Sequence, residues 1–108
     1  MKVFISGPVS GHFDYKYKFN EAENKLKSLG YEVVNPAKIL DFDSNLESDK
    51  ESHLLKYDIM MNNCYELIDE CDSIYHIEGW RKSEGCLAEH RYAQLRGKNM
   101  LYEEQIYG

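Results

Sequence analysis

Positive charge is scarce in this chain. Thirteen Lys and Arg stand against nineteen Asp and Glu, leaving a formal net charge of −6. A phosphate backbone attracts basic surfaces, so this balance argues against nucleic acid as the main partner. A small anionic ligand stays open, because the start of a helix binds anions without net positive charge. Long apolar runs are also missing. No stretch approaches the roughly 20 residues that span a bilayer, so no membrane partner is expected. The three cysteines, Cys64, Cys71 and Cys86, include no CxxC pair. With His12, His53, His76 and His90 they show no finger-like spacing. No metal is expected, and the thiols read as reduced. Met1-Lys2 leads into Val3-Phe4-Ile5 with no basic leader or cleavage site, so the expected location is the cytoplasm.

The 108 residues fit one domain, 1–108, with no repeat or linker. A chain this short has little core to spare, and a homo-oligomer, dimer or larger, would help it. Apolar and turn signals alternate. Val3 to Ser6 reads as a buried strand. Tyr15, Phe19, Ala22, Leu26 and Leu29 mark one face of a helix from about Asp14 to Leu29, stopped by Gly30. Tyr31 to Val34 is a second strand, ended by Asn35-Pro36. Ala37 to about Ser52 is the least regular stretch, and its acidic part, Asp41 to Glu51, is expected to be an exposed, mobile excursion. A helix from about His53 to Glu70 carries the stripe Leu54, Tyr57, Met60, Met61, Cys64, Leu67, Ile68 and Cys71. Ser73 to Ile77 is a third strand. Ser83 caps a helix running to about Arg96, and Asn99 to Tyr102 is a last strand. Strands separated by helices predict an α/β fold: a three-layer flavodoxin/Rossmann-like sandwich around a mostly parallel sheet of four or five strands. Ligands bind such sheets beyond the carboxyl ends of the strands, near the switch in strand order.

Two segments fall there. In Ser6-Gly7-Pro8-Val9-Ser10-Gly11 the glycines permit a tight turn and close approach of a ligand. The backbone amides and Ser10 can hold a phosphate, a ribose or a base edge. A plain strand-to-helix turn has the same look. The loop lacks the GK[ST] ending of a P-loop and is not a GxGxxG fingerprint. In Ser83-Glu84-Gly85-Cys86-Leu87-Ala88-Glu89, Ser83 and the first-turn amides form an anion site, and Gly85 leaves room for a ligand. On a helical wheel Glu89 lies between Cys86, Ala93, Tyr92 and Ala88, away from His90, Arg91 and Gln94. A carboxylate in that apolar arc is costly unless it is paired or used. The pairing alternative is an ion pair with Arg96. Trp80, after Gly79, either stacks on a base or caps the core edge. Arg81 and Lys82 read as solvated.

KVFISGPVSG, GYEVVNPA, CDSIYHIEGW and SEGCLAE together resemble a phage-associated domain family of unknown function. That family looks related to nucleoside 2-deoxyribosyltransferases and deoxynucleoside 5'-monophosphate N-glycosidases. The likeness spans nearly the whole chain, and the GW plus SxGxxxE combination is its most specific part. It implies a flavodoxin-like cleft for a deoxyribonucleoside or its monophosphate, with Glu89 as nucleophile. Ser83 would hold the 5' end or its phosphate, and Gly7 to Gly11 would lie under sugar and base. Ser6, Pro8, Gly79, Trp80 and Gly85 complete the expected substrate contacts. No cofactor is implied. Two positions depart from the enzymes' pattern. Their strand-one tyrosine falls on Phe4, and their aspartate before strand three falls on Cys64. The alternatives are therefore an enzyme acting on an N-glycosidic bond, a non-catalytic nucleotide-binding protein that sequesters a nucleotide-derived host-defence signal, and an interaction protein that kept only the fold.

Overall fold

The computed structural model describes residues 1–9, 11–40 and 50–104, with the side chains of 50–56 left aside. Four parallel strands, β1 (Lys2–Ser6), β2 (Glu32–Val34), β3 (Ser73–His76) and β4 (Asn99–Tyr102), lie in the order β2-β1-β3-β4. Helices α1 (Tyr15–Ser28), α2 (Pro36–Ile39), α3 (Lys50–Asp69) and α4 (Glu84–Leu95) connect them, with a 3-10 turn at Trp80–Lys82. The register pairs Val3 with Val33 on one side and with Ser73 on the other. The chain winds first to one side of β1 and then to the other, so the switch point lies between β1 and β3.

Strand alternation divides the core into two layers. Val3, Ile5, Tyr75 and Ile77 face α1 and meet Tyr15, Phe19, Ala22 and Leu26. Phe4 and Ile74 face the other way and meet Cys64, Ile68 and Cys71 of the α3 segment and Ala93 of α4. Burying side chains of this size stabilises the fold by about 1.5–3 kcal/mol each. Two helices stop by the same device. Tyr31 N donates to Leu26 O at 3.1 Å and Gly30 N to Lys27 O at 3.0 Å; Lys98 N donates to Ala93 O at 3.0 Å and Gly97 N to Gln94 O at 3.1 Å. These Schellman closures place Gly30 and Gly97 at positive φ, where a Cβ is penalised.

The stretch after β2 is more regular than its composition predicts. Asn35 and Pro36 do end the strand, but they also start α2. The Asn35 side chain accepts from Ala37 N at 3.0 Å, and Pro36 takes the first helical position, where its missing N–H costs nothing. Helix α3 likewise begins at Lys50, ahead of the expected His53. The acidic residues 41–49 lie outside the described residues. Among the described residues no helix is long and apolar enough to cross a membrane.

Candidate functional site

Glu89 lies one turn into α4, on the face that meets the end of β1. Its side chain is buried, and Ser6 Oγ donates to Glu89 Oε1 at 2.6 Å. The Cys64 thiol, reaching across from α3, is its second hydrogen-bond partner. Burial raises the carboxyl to about 7, against the smaller opposing pull of Ser6 and then Cys64. The Arg96 pairing offered by the wheel does not form. Arg96 Nε lies 3.6 Å from Asp69 Oδ1, and its guanidinium sits over the Tyr92 ring. Among the described residues no Lys or Arg pairs with Glu89, so neutral hydroxyl and thiol groups alone hold the carboxyl.

The start of α4 adjoins this centre. Ser83 caps the helix, its Oγ accepting from Cys86 N at 3.3 Å. The Cys86 thiol interacts with both Ser83 and Ser6, and burial pushes it up to about 12. Cys64 is also pushed up, first by burial and then by the charge of Glu89. Both thiols are therefore protonated donors rather than nucleophiles. A Cβ at Gly85 would sit 3.9 Å from both Met61 Sδ and Ser83 Oγ, so the glycine keeps this corner open. Gly7 is fixed by closer contact: a Cβ there would lie 2.7 Å from Ile77 Cδ1 and 3.0 Å from Phe19 Cε1. The loops after β1 and β3 touch where a Cβ at Gly79 would be 3.7 Å from Pro8 Cγ.

Ser6, Ser83, Gly85 and Glu89 thus gather around Cys64 and Cys86. Gly7, Pro8 and Gly79 shape the floor between the two loops. Gly11 sits in a turn at positive φ, where a Cβ would meet no described atom within 4 Å, and Ser10 lies outside the described residues. Trp80 turns into the core edge. It is buried against His76, His90 and Tyr102 with ring centroids 4.6, 4.7 and 5.7 Å away, and Arg81 covers it at 4.7 Å.

The sequence reading missed two features. Cys64 reads in the sequence as a small hydrophobe in an apolar stripe, and its spacing alone gives no sign of a polar role. His76 is fully buried. Its Nδ1 lies 2.8 Å from Leu101 O and its Nε2 lies 3.0 Å from His90 Nδ1. Burial lowers it to about 4, so it is neutral at pH 7. Among the described residues no group of three His, Cys, Asp or Glu side chains is placed to hold a metal. A cavity of about 470 Å³ opens on the α1 face, lined by His12, Tyr17, Tyr75, Glu78, Lys82 and Glu103 among others. It is on the opposite side of the sheet from Glu89 and is separate from the chemistry described above.

Fold and geometry together define a doubly wound α/β protein with a buried carboxylate at its switch point. The chain belongs to the family described as a domain of unknown function, DUF4406, whose model matches residues 1–102. No curated protein matches the sequence. Among solved structures, the CMP N-glycosidase BcmB of Clostridium botulinum is similar in fold, with a TM-score of 0.56 and 20% identity. The match covers 100% of this chain and 75% of that one.

Proposed function

We propose that the protein cleaves or exchanges the N-glycosidic bond of a deoxyribonucleoside or its 5'-monophosphate, with Glu89 as nucleophile. The observation that carries this reading is a buried carboxyl at the switch point with no cation beside it among the described residues, held by Ser6 and Cys64. A structural carboxylate in such a place is ordinarily paired with a cation. The likeness to a CMP N-glycosidase supports the reading at the level of fold. In the proposed reaction the ionised Glu89 attacks the anomeric carbon. The carbon–nitrogen bond breaks, and the base leaves with the electron pair and takes up a proton. Water then cleaves the glycosyl ester, restoring the carboxylate and releasing the sugar, or a second base displaces it. Ser83 and the first amides of α4 would receive the 5' end, and the loop from Gly7 to Gly11 would lie under the sugar and base. No metal or organic cofactor enters these steps. We take the chain as one domain that works in the cytoplasm as a dimer or larger oligomer, on a small nucleoside or nucleotide.

The test is release of free base, followed by chromatography, from a pool of deoxyribonucleosides, their monophosphates and CMP. Wild type should release base, and Glu89→Gln should bind ligand without releasing it. A second reading rests on the raised carboxyl. A group near 7 is half protonated at neutral pH, and the resemblance to the deoxyribosyltransferases and N-glycosidases sets Phe4 and Cys64 where those enzymes would carry Tyr and Asp. The same cleft would then hold a nucleotide-derived signal without turnover. Tight nucleotide binding by wild type with no base release from any pool member would establish it.

A further inference from the structure

We propose that Ser6 is the positioning residue of this site, its hydroxyl orienting the Glu89 carboxyl and keeping it ionised. The inference rests on the reading of Glu89 as nucleophile, but the contact itself does not. Ser6 is the last residue of β1 and is buried. Its backbone is clamped from the next strand: Ser6 pairs with His76, and its carbonyl accepts from Ile77 N at 2.8 Å. The side chain alternates to the same face as Phe4, toward α3 and α4, and so reaches Glu89. Gly7, the next residue, packs directly on Ile77, where a Cβ would lie 2.7 Å from Ile77 Cδ1.

The direction of the bond follows from the charge of the acceptor. An ionised carboxylate only accepts, so the proton on the 2.6 Å contact is the Ser6 hydroxyl's. Cys86, on the same helix as Glu89, also reaches Ser6. Ser83 meets Cys86 from the other side. Ser6 and, from α3, the Cys64 thiol donate to the carboxylate, with Cys86 and Ser83 packed beside them. Among the described residues, the remaining titratable groups that sense Glu89 are Tyr57 and Tyr65 of α3, both raised chiefly by burial. Neither is a cation. Among the described residues, removing the Ser6 hydroxyl leaves Cys64, a weak thiol donor.

The experiment titrates Glu89 in wild type and Ser6→Ala by carbon-13 NMR of labelled glutamate carboxyls, with Glu89→Gln identifying the signal. Loss of a hydrogen bond to a charged group should move the midpoint up by about one pH unit. Where turnover is present, kcat/KM at pH 7 should fall by about five-fold, the drop in ionised fraction for that shift. It should recover to near wild type at pH 9. Ser6→Cys, which keeps a weaker donor, should lie between. An unchanged Glu89 midpoint in Ser6→Ala, or a loss of rate equal at all pH values, overturns the proposal. If Ser6→Ala does not fold, an unshifted midpoint in Ser6→Cys overturns it instead. The titration needs no turnover. Absence of base release by wild type with a shifted midpoint in Ser6→Ala would therefore refute the enzymatic reading and leave Ser6 as the group that sets the ionisation of Glu89.

Discussion

Replacing Glu89 by Gln should make the protein more stable in alkali, because the wild-type site is strained by its charge. Burial raises the carboxyl from 4.5 to about 7, and a difference of this size corresponds to about 3 kcal/mol. The sign follows from proton binding. Between these two values the folded state holds the proton more tightly than the unfolded chain does, so stability falls as pH rises from 4.5 to about 7 and then levels off. Gln carries no charge, can still accept from Ser6, and can direct its amide at the Cys64 sulfur. Allowing about 1 kcal/mol for an imperfect amide fit, Glu89→Gln should exceed wild type by about 2 kcal/mol at pH 9. Near pH 4.5 it should equal or fall slightly below it. Urea unfolding at the two pH values measures both numbers. A wild type more stable than Glu89→Gln at pH 9 would refute the reasoning, since it would require a cation paired with the carboxylate.

His76 acts in the opposite sense. It is lowered from 6.5 to about 4 by burial, so its contribution is present above pH 6.5 and is lost as pH falls toward 4. The two slopes oppose each other between pH 4.5 and 6.5; His76→Gln should therefore lose stability with rising pH more steeply than wild type there, measured by the same urea series. Gly7→Ala should destabilise by about 1–3 kcal/mol, since its Cβ meets Ile77 at 2.7 Å, with the loss read as a lower urea midpoint at an unchanged slope. Glu23 is buried and receives Lys27 at 2.6 Å, Asn35 at 2.9 Å and Lys38 at 3.1 Å. Lys27 first, then Asn35 and Lys38, hold it down at about 2 against burial. Glu23→Ala should cost about 1–3 kcal/mol at pH 7 by stranding the Asn35 amide, and the cost should shrink as pH falls from 4.5 toward 2.

The fold was legible in the sequence wherever local pattern and tertiary packing agree. The run Val3 to Ser6, the spacing of Phe19, Ala22 and Leu26, and the stops at Gly30 and Gly97 each state their own structure. Pro36 misled because the same residue ends a strand and opens a helix, and only the reach of the Asn35 side chain to Ala37 N decides between them. For the site, the helical wheel was enough to show that Glu89 is buried, because α4 packs by the face that the wheel predicts. It could not show the partner. Ser6 lies 83 residues away in sequence, and parallel pairing of β1 with β3 is what brings it near. Arg96, beside Glu89 on the wheel, points outward because Asp69 of α3 lies within reach. Cys64 was hidden by its own chemistry, a side chain that packs as an apolar group while it donates to a carboxylate. Trp80 followed the commoner course for a lone tryptophan and closes the core edge.

The proposed reaction depends on a covalent bond between Glu89 and the sugar. Mass spectrometry of acid-quenched protein, mixed briefly with a deoxyribonucleoside monophosphate from which it releases base, tests this most directly. The account predicts a peptide containing Glu89 heavier by one phosphodeoxyribosyl group, appearing within the first turnover, absent in Glu89→Gln, and lost on longer incubation. Base release by wild type with no such adduct, and undiminished release by Glu89→Gln, would contradict it.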